Sequence, residues 1–462
     1  MGVVFMLRPS STIVKNFYLF KRNKKFIESR LHQLRLSSEF VLSYLKNSPG
    51  VLYVEQQEHI NRVLRTTDTE WNVMWYMNGM VTPSMKITEA WDLGMTGNGV
   101  DICILDDGIE VDHPDLVNNL KTDEDYDFID GDEDASPGSK ANSHGTEVAG
   151  LIGAKKDNAN CVVGVAYESN MIGVRLVGAS RTDDMEASAL VHKLAIADIY
   201  SNSWGPSDSR GPIDGFGYFG PKAETQGALE DGIDNGRDGR GAIYVWSSGS
   251  GTKTDNCNGN GYVNSIFTVA IASIGHNQEP APYAEICAPA LAAAYGGGGG
   301  DYLVSTSTNG SCSRNLEGTS YATAIATGII ALALEANPLL TWRDVQHLIV
   351  LTSKKHNIVE TEYGGWQLNG ARKPFSQRVG FGLMDAEAMV TMATTWQTVP
   401  VWEWCDISQN VNMDVTYDSP LSSTKAVSHC AIHYVEHVRV NIVFVATKRG
   451  RVELKFTSPL EQ

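Results

Sequence analysis

The chain has 462 residues, enough for one large domain with extensions, and its 42% hydrophobic content is ordinary for a globular protein. A net charge of -17 weighs against nucleic acid as a partner and favours basic ones. No stretch reads as the ~20 consecutive apolar residues of a membrane span.

Residues 1–65 are basic and contain helix-like segments such as "KKFIESRLHQL". The opening "MGVVFMLRPSS" has too short an apolar stretch, and no charged segment before it, for a secretory signal. Met6 stands where a myristoylation site wants Ser or Thr. Two expectations follow: a cytosolic protein, or a chain lacking its true start. From 66 to 395 short apolar runs alternate with helices. "VDICILDD", "DIYSNSW" and "GAIYVWSSGS" each break at polar or Gly positions, the pattern of buried parallel strands with functional residues at their C-terminal ends. The fold class expected is an α/β sandwich with a mainly parallel central sheet flanked by helices. "GGGGG" at 296–300 reads as a flexible surface loop, since no strand–Gly–helix pattern surrounds it to cradle a phosphate. "TWRDVQHLIVLTS" opens with a capping box, Thr341 with Asp344. Residues 396–462 turn to strand-like alternation, as in "HVRVNIVFVATKRGRVELKF", too short for an independent β domain.

The seven cysteines are dispersed with no CxxC, which disfavours zinc. Cys103 lies in an apolar run and reads as a buried free thiol. The other six (Cys161, Cys257, Cys287, Cys312, Cys405 and Cys430) either form three disulfides, implying an oxidising compartment, or stay free.

Three short motifs carry chemistry. Asp106 ends the apolar run of "ILDDGIEVDHPDL", His144 precedes a helix in "NSHGTEVAG", and Ser320 lies in "GTSYATA". Serine hydrolysis needs a nucleophile, a base to take its proton and a carboxylate to orient that base. Taken singly, the Asp is most often a turn residue, the His structural and the Ser a helix start. The order Asp, His, Ser excludes the usual α/β-hydrolase arrangement and matches that of subtilisin. With "LDDGIE…HPDL", "HGT", "GVAY", "SWGP", "YVWSSG" and "LTWRDVQHL", the chain resembles the subtilisin-like serine proteases, and among them the kexin/furin proprotein convertases, closely over 66–395 and weakly on both sides.

The resemblance implies a 1–65 truncated propeptide-like segment, a 66–395 catalytic domain and a 396–462 partial P-domain-like β segment. Arg62 and Arg65 form an R-x-x-R self-cleavage signature, with the propeptide acting as inhibitor. It implies cleavage after paired or clustered Lys/Arg in precursor proteins or prohormones within the secretory pathway. Acidic pockets select such side chains because a desolvated guanidinium needs a carboxylate partner. By similarity Asp107 faces the basic residue at P2, Asp208 lines S1, and Glu186 and Asp214 with Tyr262 shape S4. Calcium is implied at Asp68, Asp115 and Asn158, at Asp127, Asp132 and Asp134, and at Asp208, Asp255 and Glu285, oxygen-rich sets that suit a hard cation. The implied disulfides are Cys161–Cys312, Cys257–Cys287 and Cys405–Cys430.

The chain departs from the family pattern at three positions. Ser250 stands where the oxyanion-hole Asn belongs, Asn260 replaces an acid in S1, and Ala324 replaces the Pro after the nucleophile. The function expected is a calcium-dependent serine endopeptidase with His144 as base, Asp106 as orienting group and Ser320 as nucleophile. The alternative is a weakly active or inactive homologue that binds basic peptides or a partner convertase.

Overall fold

The runs expected as strands are strands, and their burial explains their composition. In the computed structural model, which describes residues 67–178, 181–206 and 220–408, with 6–9, 18–21, 422–424, 430–432, 435–440, Ser43 and Asn47, the apolar segments form one parallel sheet. Its strands are β3 (Asp101–Asp106), β4 (Tyr126–Asp127), β5 (Asn170–Arg175), β6 (Ile199–Asn202), β7 (Ile243–Ser247), β8 (Thr268–Ile274) and β9 (Ala292–Tyr295), in the order β4-β5-β3-β6-β7-β8-β9. Every pairing is parallel. Strands β6, β7, β8 and β9 are buried at every position, so both faces are mostly apolar and no polar/apolar alternation appears.

The chain leaves β3 to one side, for β4 and β5, and returns to the other side at β6. Strand order therefore reverses beside β3, the place where open α/β sheets hold ligands outside their C-terminal ends. Asp106 ends β3, Ser203 follows β6, and Ser250 lies in the loop after β7.

The helices are α1 (Ile87–Asp92), α2 (His144–Gly153), α3 (Asp183–Leu190), α4 (Ala223–Gly239), α5 (Thr319–Ala336), α6 (Trp342–Thr352) and α7 (Ala386–Ala393). Helices α2 and α5 pack on each other and on the sheet, while α3 packs on α4. Helix α5 is long and apolar enough to cross a membrane, yet 83% of that stretch is buried inside the protein. Its hydrophobicity is satisfied by the sheet. Helix α6 begins with the expected capping box: Thr341 accepts from the Asp344 N–H, and Asp344 accepts from the Thr341 N–H.

The glycine run corrects an expectation. Gly296, Gly297 and Gly298 are buried, and only Gly299 and Gly300 form the exposed turn expected of the whole run. Gly296 continues β9, and its carbonyl accepts from the Gly318 N–H at 2.9 Å and the Tyr283 hydroxyl at 2.6 Å. A Cβ on Gly296 would lie 2.7 Å from Gly318 O and 2.2 Å from Ser273 Oγ, so only glycine lets the Gly296 and Gly318 backbones approach there. The run thereby anchors the residue that starts α5.

The chain divides into Met1–Leu64 and Arg65–Gln462. The first unit contains an antiparallel pair, β1 (Met6–Pro9) with β2 (Tyr18–Lys21); its expected helix at 24–34 lies outside the described residues, as do Arg62 and Arg65. Within the second unit β10 (Leu303–Ser307) and β11 (Ser311–Leu316) form a hairpin. Residues 396–462 group with this unit. Asp344 Oδ1 accepts from Trp396 Nε1 at 2.8 Å and the Val399 N–H at 2.9 Å, and Arg343 Nε donates to Glu436 at 2.9 Å. The described residues 435–440 form no strand, and the rest of the expected alternation, 441–462, lies outside the described residues. The disulfides are Cys161–Cys312, Cys257–Cys287 and Cys405–Cys430. Cys103 is a buried free thiol, and burial pushes its pKa up.

Gly328 tests how closely α5 is packed. A Cβ there would stand 2.5 Å from Val165 Cβ. Gly328→Ala gains about 1 kcal/mol of helix propensity but overpacks the core at a cost of about 1–3 kcal/mol. Because both groups are backbone-anchored, overpacking should win, and urea unfolding should show a net loss of stability.

Candidate active site

Asp106, His144 and Ser320 come from three elements that end at one edge of the sheet. Asp106 is the last residue of β3, His144 the first of α2 and Ser320 the second of α5. Asp106 Oδ1 accepts from His144 Nδ1 at 2.7 Å and from the Asp107 N–H at 2.8 Å. The Asp106 side chain is 3% exposed and that of His144 34%, so the carboxylate is enclosed while the imidazole reaches solvent. Gly145 must be glycine here: a Cβ would lie 2.3 Å from Gly108 O and 2.9 Å from Asp106 Cβ.

Ser320 lies beside Ser203. Its Oγ donates to Ser203 O at 3.4 Å, and Ser203 Oγ donates to Ser320 O at 3.3 Å. The next residue, Tyr321, sets its ring 5.7 Å from the His144 ring, centroid to centroid, and its hydroxyl donates to Glu147 Oε2 at 2.6 Å. Glu147 Oε1 accepts from Ser143 Oγ at 2.9 Å. The buried Glu147 carboxylate thus ties the first turn of α2 to the first turn of α5, and so positions His144 relative to Ser320. Neither Glu147 nor Tyr321 stood out in the sequence; the only signal was a charge inside an otherwise buried helix turn.

Burial works to lower the His144 pKa, but the Asp106 charge and hydrogen bond, with Asp107 and Glu147, push it up to about 9. Burial, with Asp106 close by, pushes Asp107 up to about 6, although Asp107 Oδ1 accepts from the Gly145 N–H at 2.7 Å. The acids around the imidazole favour the charge it acquires when it takes a proton.

Ser250, expected at the oxyanion position, has its Oγ 3.0 Å from Thr319 Oγ1 and accepts from the Thr319 N–H at 3.4 Å. Its hydroxyl is engaged by the residue before Ser320. Ala324 is fully buried in an unbroken α5.

The expected substrate residues are partly assembled. Glu186 Oε2 accepts from the Tyr262 hydroxyl, and Glu186 Oε1 accepts from Arg181 Nε at 2.7 Å. Asn260 Oδ1 accepts from the Tyr262 N–H at 3.0 Å, beside Gly205. Asp208 and Asp214 lie outside the described residues.

For the calcium implied by resemblance, the donor sets differ. Asp68 accepts from the Asn158 N–H at 3.1 Å, and Asp115 accepts from Asn158 Nδ2 at 2.7 Å. Two buried carboxylates and one amide from three separate segments therefore meet, and burial, with Asp68 adding, pushes Asp115 up to about 6. That donor chemistry fits a hard cation. Asp255 and Glu285, 6% and 5% exposed, also converge, because a Cβ on Gly251 would meet both carboxylates at 3.0 Å. Asp127 and Asp132 are backbone bridge partners, the Asp127 N–H donating to Asp132 O at 2.8 Å, but the carboxylates of Asp127, Asp132 and Asp134 have other partners. Arg175 pairs with Asp127, whose Oδ1 accepts from the Ile129 N–H, while Asp132 and Asp134 each accept from the N–H two residues on. A guanidinium supplies the positive charge at Asp127, so this run fits a cation poorly. Among the described residues no three His, Cys, Asp or Glu side chains form a metal cluster.

Residues 97–382 match the subtilase (peptidase S8) family. The chain is 37% identical over 470 residues to rat proprotein convertase subtilisin/kexin type 6, covering 96% of this chain and 49% of that protein. It is 38% identical over 448 residues to bovine neuroendocrine convertase 2, covering 90% of this chain and 69% of the relative. The chain thus spans only about half the length of some relatives it matches. Its fold is like that of the Aeromonas sobria serine protease structure, with a TM-score of 0.65 at 20% identity, over 76% of this chain and 72% of that one. An Asp–His–Ser constellation at the C-terminal edge of a parallel sheet and this breadth of similarity lead to one conclusion: the chain belongs to the subtilase family and, within it, to the proprotein convertases.

Proposed function

We propose that the chain is a calcium-dependent serine endopeptidase that cuts precursor proteins after paired or clustered Lys and Arg. The observation that carries this reading is the 2.7 Å Asp106–His144 hydrogen bond at the edge where Ser320 opens α5. His144 Nε2 takes the Ser320 proton as Oγ attacks the scissile carbonyl, then returns it to the leaving amine. Asp106 holds the imidazole through Nδ1 and stabilises its charged form. The Ser320 N–H, at the positive end of α5, donates to the oxyanion. Asp107, partly enclosed and next to His144, receives the basic side chain at P2. The acids Asp255 and Glu285, with Asp208, and separately Asp68, Asp115 and Asn158, hold calcium that stiffens the pocket walls. Three disulfides fit an oxidising, secretory compartment, and residues 1–65 act as an inhibitory segment released after Arg65. Cleavage of an Arg-x-Lys-Arg fluorogenic peptide by the purified full chain with calcium, lost in Ser320→Ala, tests the proposal. A wild-type chain that binds the peptide but leaves it intact would favour the second reading, a peptide-binding homologue. The Ser250–Thr319 hydroxyl pair is the observation on that side.

The Ser250 position sets turnover. Removing the side-chain oxyanion donor costs subtilisin about 10²–10³ in kcat, and that range is borrowed here. Ser250→Asn should restore a donor present mainly in the transition state, raising kcat by about 10- to 1000-fold and leaving KM little changed. Steady-state kinetics of both chains on one basic peptide checks this.

The pH profile follows from His144. The base must be neutral, so kcat/KM should rise as pH climbs through the raised His144 pKa, at about 9 in the free protein. Asp107 is one of the carboxylates that hold the imidazolium, so Asp107→Asn should move that limb to lower pH. An unmoved limb would show that Asp107 does not sense the His144 charge.

Calcium removal should lower both stability and activity. A ligand held only by the native state, at a hundredfold over its Kd, stabilises by about 2.7 kcal/mol. Thermal melts and peptide assays with and without chelator should show a lower Tm and lost cleavage, with recovery on adding calcium back.

A further inference from the structure

The acidic pocket at Glu186 already contains a guanidinium. Arg181 donates from Nε to Glu186 Oε1 at 2.7 Å, and its guanidinium carbon lies 4.7 Å from the centre of the Trp204 ring. The other Glu186 oxygen accepts from the Tyr262 hydroxyl. Trp204 and Tyr262 are nearly buried and set ring against ring at 5.4 Å, with Trp246 stacked on Tyr262 at 4.9 Å, so the floor of this pocket is fixed by packing. The cluster adjoins the reaction centre: Trp204 follows Ser203, which exchanges hydrogen bonds with Ser320. It is also reachable, since the Arg181 and Glu186 side chains are 20% and 14% exposed.

These contacts are the ones a basic substrate side chain would make: a carboxylate on one side and an aromatic face on the other. Arg181 makes them from within the chain. We propose that Arg181 is a built-in occupant of the Glu186 pocket, so that the protease gains nothing from an arginine at the fourth position before the cut and accepts an uncharged residue there. This rests on the protease reading above. A substrate guanidinium would have to displace Arg181 or share one carboxylate with it. A guanidinium has five donors and no acceptor, so two of them on the Glu186 carboxylate repel. An uncharged side chain meets no such conflict and can lie along the Arg181 stem and the Trp204 edge.

The test uses the full chain with calcium and two peptides that share Lys-Arg before the cut and differ only in Arg or Val at the fourth position. Wild type should cleave both with kcat/KM within about threefold of each other, since the pair is already satisfied. Arg181→Val frees Glu186 and should favour the Arg peptide by about 10- to 100-fold, the worth of a hydrogen bond to a charged group, expressed mainly in KM. Adding Glu186→Gln should erase that gain. Arg181→Gln serves as a second variant should the first fail to fold. Cleavage of the Val peptide by wild type checks the protease reading on its own. If neither peptide is cut, that reading fails, and the same ratio is read as Kd by fluorescence anisotropy in Ser320→Ala chains with and without Arg181→Val. A wild-type preference for Arg of tenfold or more, or a ratio unchanged by both Arg181 variants, overturns the assignment.

Discussion

The arrangement of Asp106, His144 and Ser320 depends on the burial of α5. The helix runs from Thr319 to Ala336 and is buried around almost its whole circumference, with Ile325, Ile329, Ile330 and Leu332 fully enclosed. Each such side chain contributes about 1.5–3 kcal/mol on transfer from water, far more than any single polar contact near the active site. The helix must therefore lie inside the protein against β6–β9, α2 and α7. Its N-terminus then emerges at the C-terminal edge of the sheet, where β3 has already delivered Asp106. The Gly296 carbonyl fixes the emergence point by accepting from the Gly318 N–H. Ser320 is left half-buried at that edge because the rest of its helix is enclosed.

Around that point the protein sets acids against one another. Asp106, Asp107 and Glu147 all raise the His144 pKa, and Asp106 in turn raises that of Asp107. A cluster of this kind is tolerable because each carboxylate has donors: Asp106 has His144 and the Asp107 N–H, Asp107 has the Gly145 N–H, and Glu147 has Ser143 and Tyr321. The Glu147 bridge fastens two helix starts together and adds charge near the imidazole in the same stroke. Packing and electrostatics are thus not separable here.

The acidic residues away from the triad have different fates, and an overall charge of -17 hides the difference. Asp255 and Glu285 converge on Gly251 and suit a cation, whereas Asp127 is balanced by Arg175. Glu186 is paired with Arg181. An acid in a family motif identifies a position, but the charge a substrate meets depends on which basic side chain has already arrived.

What the sequence determined by itself is what short-range pattern can encode. Runs such as "VDICILDD" become strands because nearly every interior position must be apolar in a sheet covered on both faces, and the polar residue that ends the run marks its exit. The Thr341 capping box and the short motifs around Asp106, His144 and Ser320 are local for the same reason, and their order is read directly along the chain. The buried start of the glycine run was misread because its neighbours in sequence do not reveal that Ser273 and Gly318 close over Gly296. Tertiary structure alone decided the pairing of Tyr321 with Glu147, separated by 174 residues, and of Ser250 with Thr319, separated by 69. It also decided that Arg181, only five residues from Glu186, turns onto that carboxylate and over Trp204. Side-chain partners are chosen by where packed elements bring their ends together, and that choice is made by the burial of the whole core, not by the residues that finally touch.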